Sequence, residues 1–336
     1  MDLRVLEYGL KICSYIFLIG RDTMNKITVI GAGSVGATIS YTLAVTGVSS
    51  EIVMIDINKE KALGEAMDIR QGVPFYNPCN VYAGNYQDAT GSDIVVITCG
   101  VPRKPGQSRL DLTQTNVNIL KSVAGEILKY APDAIYIIVS NPVDILTYAF
   151  CKFSGLPEGR VIGSGTILDT SRLRSKISEH YSISQKNVHA YVLGEHGDSS
   201  FIPWSLANIS NVSVEDFEKS LSDGMSYPAF DKADIEQYVK KSGGSIIERK
   251  GATFYAVSMS VCHLCKCILS GIDTTLTVST MLHGEYGIDD VALSLLNVVG
   301  KGGACKKVYL PLTDFETEQL KKSAESLKDV IKSVTF

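Results

Sequence analysis

Long apolar runs, blocks of like charge and paired cysteine motifs are thin or missing in this 336-residue chain. The apolar stretch Ile12-Cys13-Ser14-Tyr15-Ile16-Phe17-Leu18-Ile19-Gly20 falls short of the roughly 20 residues a membrane-crossing helix needs. It also lacks a clear small-x-small cleavage site. No block of about five or six like charges occurs and the net charge is −4, which argues against a nucleic-acid surface. Internal repeats, low-complexity segments and proline-rich linkers are absent too. Cys13, Cys79, Cys99, Cys151, Cys262, Cys265, Cys267 and Cys305 are scattered, mostly in apolar runs. That is the usage of buried thiols in a reducing compartment, and a cytoplasmic location is expected. Cys262-His263-Leu264-Cys265-Lys266-Cys267 looks like a metal cluster. It lies in a helical pattern from Phe254 to Leu269, with Cys267 turned away from Cys262 and Cys265 and no second ligand pair following, so no metal site is expected.

Apolar residues make up 45% of the chain and charged residues 20%, as in soluble globular proteins. The length allows two domains. Near the start, Lys26-Ile27-Thr28-Val29-Ile30 reads as a strand, Gly31-Ala32-Gly33-Ser34-Val35-Gly36 as a Gly-x-Gly-x-x-Gly turn, and Ala37 onward as a helix. A second strand, Ile52-Val53-Met54-Ile55, ends in Asp56. In this order the glycines permit a tight turn and close approach of backbone to a pyrophosphate. The helix N-terminus offers free N–H groups to phosphates. Asp56 accepts from ribose hydroxyls and repels a 2′-phosphate, so the cofactor expected is NAD. Further buried strands are expected at Asp93–Thr98, Ala134–Val139 and Val161–Gly163. Helices are expected at Lys59–Gln71, Leu112–Lys129 and Val143–Ser154. Apolar strands alternating with helices predict an α/β fold, a Rossmann-type doubly wound parallel sheet.

Beyond about residue 165 the alternation loosens. A strand from Val188 to Leu193 is expected to lead into a loop, with helical segments near 214–242, 244–270 and 313–334. The domains are placed at 24–164 for NAD binding and 165–336 for a second, α+β substrate domain. Met24 directly precedes the first strand, so residues 1–23 read as an upstream extension, with a weak signal or anchor as the other reading.

Gly194-Glu195-His196-Gly197-Asp198 sets one of only five histidines between glycines. Upstream, Asp169-Thr170-Ser171-Arg172 offers a carboxylate and a guanidinium. A carboxylate beside an imidazole fixes its tautomer and stabilises the imidazolium, and an arginine fork holds a substrate carboxylate. Together with a hydride donor, these are the parts for reducing a 2-keto acid. Taken singly, Asp169 reads as a helix N-cap and Arg109 as a surface arginine.

On these motifs, with Gly100 through Arg109, Asn141-Pro142-Val143-Asp144 and Gly163 through Arg174, the chain from Met24 onward resembles the L-lactate/L-malate dehydrogenase family. The resemblance implies that His196 exchanges the substrate proton, Asp169 orients it, and Arg172 binds the C1 carboxylate. It further implies that Asn141 holds substrate and nicotinamide, that Thr253 lines the pocket, and that Arg109 closes on the substrate from a mobile loop. Gly31, Gly33, Ser34, Val35, Gly36, Asp56, Gly100 and Asn141 are implied at the NAD site.

The substrate discriminator of that family falls on Arg103, the residue type of malate enzymes. Gly163-Ser164-Gly165-Thr166, Leu110, Pro203-Trp204-Ser205 and Lys250-Gly251-Ala252-Thr253 resemble the lactate branch instead. Lactate dehydrogenase is the favoured expectation, malate or dual specificity the alternative, and a non-catalytic NAD-binding protein the remote one. Arg174 and His189 match positions that meet around fructose 1,6-bisphosphate in allosteric relatives, which implies an effector site in a homotetramer.

Overall fold

The computed structural model describes residues 25–101, 109–221 and 227–336, and for Arg109 the backbone alone. The N-terminal extension, Arg103 and the Arg109 side chain lie outside the described residues.

Six short strands form the parallel half of the large sheet: β1 (Lys26–Ile30), β2 (Glu51–Ile55), β3 (Asn80–Ala83), β4 (Ile94–Ile97), β5 (Ile135–Ile138) and β6 (Val161–Gly163). Their spatial order is β6-β5-β4-β1-β2-β3, which reverses direction between β1 and β4. Ligands of such sheets bind at that switch, outside the carboxyl ends of the strands. The strands are buried on both faces because alternate residues feed two cores. Ile30, Val53, Val95, Tyr136 and Ile138 face one, and Ile27, Val29, Ile52, Met54 and Val96 the other.

Helices α1 (Ser34–Val45), α2 (Lys59–Gly72), α3 (Arg109–Ile127) and α4 (Val143–Ser154) alternate with these strands. Asn58 caps α2 by accepting from the Lys61 N–H, and α4 stops at Gly155 in the left-handed region. Helix α5 (Ile167–Tyr181) follows β6. A small antiparallel sheet comes next, made of β7 (Val188–His189), β8 (Asn208–Ile209) and β9 (Val212–Ser213).

The strand expected over Val188–Leu193 is therefore short, and the reason lies on α5. Thr166 Oγ1 donates to the Val192 carbonyl at 2.5 Å, and Thr170 Oγ1 accepts from the Val192 N–H at 3.0 Å. Arg174 Nε donates to the Ala190 carbonyl at 3.0 Å. Residues spaced four apart share one face of a helix, and this face stands where a neighbouring strand would.

The helix expected near 214–242 is also different: one turn at Val214–Phe217, then α6 (Lys232–Lys250), which Asp231 caps through the Ala233 and Asp234 N–H groups. It runs through Gly243-Gly244 and stops at Gly251. Helix α7 (Tyr255–Leu269) precedes a long hairpin, β10 (Thr274–His283) and β11 (Asp289–Gly300), with β12 (Gly303–Lys307) alongside. β10 pairs with β6 through Ser279 and Gly163, so the hairpin continues the parallel sheet with antiparallel strands. Helix α8 (Asp314–Lys332) opens with a Thr313–Glu316 capping box and packs on α4 and β11. No helix among the described residues is long and apolar enough to cross a membrane.

Candidate active site

The glycine turn joins β1 to α1 above the carboxyl end of the sheet. Gly31 has φ +105°, and a Cβ there would lie 2.6 Å from Thr98 Oγ1. A Cβ on Gly36 would run into the Gly31 carbonyl oxygen, so α1 can approach β1 only with glycine there. Gly33 differs: a Cβ would meet nothing within 4 Å. Its bare backbone lines an open cleft together with the first residues of α1, whose N–H groups have no intrahelical partners. That cradle fits a pyrophosphate. Asp56 sits behind it, accepting from the Ala32 N–H at 2.6 Å and the Asn58 N–H at 2.8 Å. It therefore braces the turn with both carboxylate oxygens and is not among the residues that line the cleft.

The cleft has a volume of ≈ 760 Å³ and is lined by Gly33, Ser34, Val35, Gly36 and Gly100. Asn141, Asp169, Arg172, His196 and Thr253 line it as well. Asp169 lies in the first turn of α5, where the helix dipole favours an acid. Its Oδ2 is 2.5 Å from His196 Nδ1, and its Oδ1 accepts from Arg172 Nη1 at 2.8 Å. Both oxygens are thus spent on functional side chains, and the N-cap position belongs to Thr166.

Burial works against both charges of this pair, and their mutual attraction overrides it. His196 is raised above the ordinary histidine range by the charge and hydrogen bond of Asp169, with Asp144 adding to them. Asp169 is held below the usual carboxylate range by His196 and Arg172. The site thus holds a histidine whose proton affinity is raised by its carboxylate neighbours.

The loop carrying His196 is anchored from three sides. Gly194, at φ +90°, exchanges backbone hydrogen bonds with Ser294 of β11, both at 3.0 Å. Ser323 Oγ on α8 accepts from the Glu195 N–H at 2.8 Å. Asp144 Oδ2 accepts from the His196 N–H at 2.7 Å. Asn116 on α3 is a further brace: its Oδ1 accepts from Val101 N at 2.9 Å and its Nδ2 donates to Asn141 O at 2.8 Å. Sequence reading gave neither Asp144 nor Asn116 a role. The signal for Asp144 was an acid in the run Val143–Phe150, which carries no other charge.

Arg174 and His189 stand apart from this cleft. Arg174 stacks over the Tyr191 ring at 5.4 Å and borders a separate hollow with Gln185, Lys186 and His263. His189 is exposed on β7, paired with Asn208. In α7, Cys262 and Cys265 are buried on the face towards α1, and burial pushes both thiols up. Among the described residues no group of His, Cys, Asp and Glu could hold a metal ion.

Comparison with known proteins adds to this geometry. Residues 25–163 match the lactate/malate dehydrogenase NAD binding domain, and residues 166–335 the alpha/beta C-terminal domain of the same family. The L-lactate dehydrogenase of Thermoanaerobacterium saccharolyticum is 48% identical over 311 residues, 93% of this chain and 99% of that protein. The L-lactate dehydrogenase of Clostridium botulinum (strain Langeland) is 45% identical over 318 residues, 95% of this chain and 99% of its own. Among solved structures, a lactate dehydrogenase from a Medee basin deep-sea metagenome library superposes with a TM-score of 0.88 at 38% identity, covering 93% of this chain and 99% of that one. L-Lactate dehydrogenase from Clostridium thermocellum gives 0.82 at 40% identity, covering 93% and 100%. With a dinucleotide cradle and a His–Asp–Arg cluster on one cleft, the chain belongs to the lactate/malate dehydrogenase family and is an NAD-dependent oxidoreductase.

Proposed function

We propose that this protein is an L-lactate dehydrogenase that interconverts pyruvate and L-lactate, with His196 as proton donor and acceptor. The observation that carries the reading is the Asp169 carboxylate shared between His196 Nδ1 and Arg172 Nη1 at the wall of the cleft. NAD, when bound, supplies or accepts the hydride at its nicotinamide. Gly33, Ser34, Val35 and Gly36 would hold its pyrophosphate, Asp56 its ribose, and Gly100 and Asn141 would border the rest.

Reduction leaves alkoxide charge on the substrate oxygen, so a proton donor has to meet it. Nδ1 of His196 is engaged by Asp169, which leaves Nε2 to give up that proton. Arg172 would clamp the C1 carboxylate with the part of its guanidinium not committed to Asp169, Asn141 would hold the carbonyl, and Thr253 would border the substrate methyl. Arg109, at the start of α3, would polarise the carbonyl as the segment before it closes and excludes water.

Arg103 favours a second reading, because its charge suits the second carboxylate of oxaloacetate. A charge-assisted pair of that kind is worth about 1.5–3 kcal/mol, roughly one to two decades of discrimination. The similarity of the whole chain to enzymes named L-lactate dehydrogenase outweighs that single residue. The same reading includes a cytoplasmic homotetramer and fructose 1,6-bisphosphate binding at Arg174 and His189.

The test is kcat/KM with NADH for pyruvate and oxaloacetate, with and without fructose 1,6-bisphosphate. A preference for pyruvate of about tenfold, 1.4 kcal/mol, supports lactate dehydrogenase. The reverse preference makes the protein a malate dehydrogenase. No change on adding the bisphosphate removes the effector site.

A further inference from the structure

Asp144 carries a charge that packing alone does not call for. It lies on the first turn of α4 at 2% exposure. Burying a carboxylate is costly unless its oxygens are satisfied. Here Oδ2 accepts from the His196 N–H at 2.7 Å and Oδ1 from Ser279 Oγ of β10 at 2.6 Å. Two neutral acceptors would serve those donors at lower cost, so the negative charge itself needs a reason.

The charged neighbours supply one. Asp169 on α5 engages the His196 ring from one side, and Arg172, also on α5, opposes the imidazolium. Asp144 adds a second negative charge from α4, beneath the histidine backbone. Glu195, on the His196 loop, disfavours the Asp144 charge, while Ser279 and the His196 N–H favour it.

We propose that Asp144 is a positioning residue whose negative charge, set against the His196 main chain, raises the proton affinity of the imidazole and fixes the pH range in which the enzyme reduces its substrate. The idea rests on His196 being the proton exchanger. It adds a second carboxylate to the one that orients the ring, and it ties the Asn141–Asp144 segment to the His196 loop through one buried group. Burial pushes the Asp144 carboxyl up to about 6. It is therefore charged at neutral pH and neutral in acid. The Ser279 hydroxyl can donate or accept, so its hydrogen bond survives protonation while the charge is lost.

The test is an NMR titration of histidine ring signals in the full chain, comparing the parent with Asp144→Asn and assigning His196 by its loss in His196→Gln. Asparagine keeps an acceptor for the His196 N–H and an amide for Ser279 Oγ, but no charge. The titration of His196 is expected to move to lower pH, and the alkaline limb of pyruvate reduction to move with it. Above that limb the rate falls by about tenfold for each pH unit of displacement. At mildly acid pH the two proteins converge.

Ser279→Ala is the second variant: it removes a neighbour of the carboxylate but leaves the charge, so the His196 titration and the alkaline limb are expected to stay where they are in the parent. An unmoved His196 titration in Asp144→Asn overturns the inference, as does a rate lowered equally at every pH. If Asp144→Asn fails to fold, a His196 titration that moves to lower pH in Ser279→Ala, where the charge is kept, overturns it instead. A parent that reduces neither pyruvate nor oxaloacetate defeats the functional reading, while the NMR titration still tests the effect of Asp144 on the ring.

Discussion

His196 Nδ1 and Asp169 Oδ2 lie 2.5 Å apart, a contact between two groups whose ionisation is shifted in opposite directions. Because His196 is raised, its share of stability is fully present below about 6.5, the unfolded histidine value, and is lost as pH rises through the folded value. Because Asp169 is lowered, its share is present above about 3.9 and is lost as pH falls through the folded value. The pair therefore stabilises most between about pH 4 and 6.5. In Asp169→Asn, Tm is expected to fall most within that window. The deficit shrinks on both sides, and on the alkaline side the lost Arg172 pair keeps part of it. The same variant should reduce pyruvate about 10²–10⁴-fold more slowly at neutral pH. A Tm deficit independent of pH would show that the two groups are not charged together.

The glycine turn separates folding from cofactor binding. Gly36→Ala pushes a methyl into the Gly31 carbonyl, so the turn must open and the protein loses about 1–3 kcal/mol in urea unfolding. Gly33→Ala meets nothing in the protein and should unfold like the parent. Its methyl enters the space where the pyrophosphate approaches, so NADH binding, followed by fluorescence, weakens by about tenfold or more. Equal NADH affinity in Gly33→Ala and the parent would move the phosphates elsewhere.

Asp56 joins cofactor choice to the shape of the turn. Asp56→Ala removes the charge that repels a 2′-phosphate, so the NADPH to NADH ratio of kcat/KM rises by about tenfold, 1.4 kcal/mol. It also strips the acceptor from the Ala32 and Asn58 N–H groups, and Tm falls. A ratio unchanged from the parent would leave Asp56 only the bracing role.

Much of the nucleotide-binding half was legible because its signals are local. Val143–Ser154 is a helix over the range expected, opened after a proline and stopped at Gly155. The glycine turn, Asp56, Asp169 and His196 are read from spacing or from the resemblance, and Asp169 and His196 are then found in contact. What stayed hidden depends on partners far away in sequence. The β10–β11 hairpin extends a sheet begun at β1; β10 is rich in serine and threonine, whereas the apolar run Val291–Val299 of β11 was a local signal that sequence reading passed over. Gly243-Gly244 lies mid-helix although each glycine costs about 1 kcal/mol there relative to alanine, so tertiary packing outweighs propensity. Asp144 and Ser279 meet across 135 positions, beyond the reach of any periodicity.

The chain leading into the His196 loop shows such distant support most directly, because α5 side chains replace a strand there. Thr170, 7% exposed, accepts the Val192 N–H and meets Thr277 Oγ1 at 3.1 Å. Thr170→Val preserves shape but leaves a buried N–H without an acceptor. The cost expected from urea unfolding is about 1–3 kcal/mol, and Thr170→Ser, which keeps the hydroxyl, should recover most of it. If valine and serine cost the same, the methyl group holds this segment, not the hydrogen bond. If valine alone is costly and also lowers kcat, then the backbone before His196 is held in place by a hydroxyl three residues before Leu173, on the same helix that supplies Asp169 and Arg172.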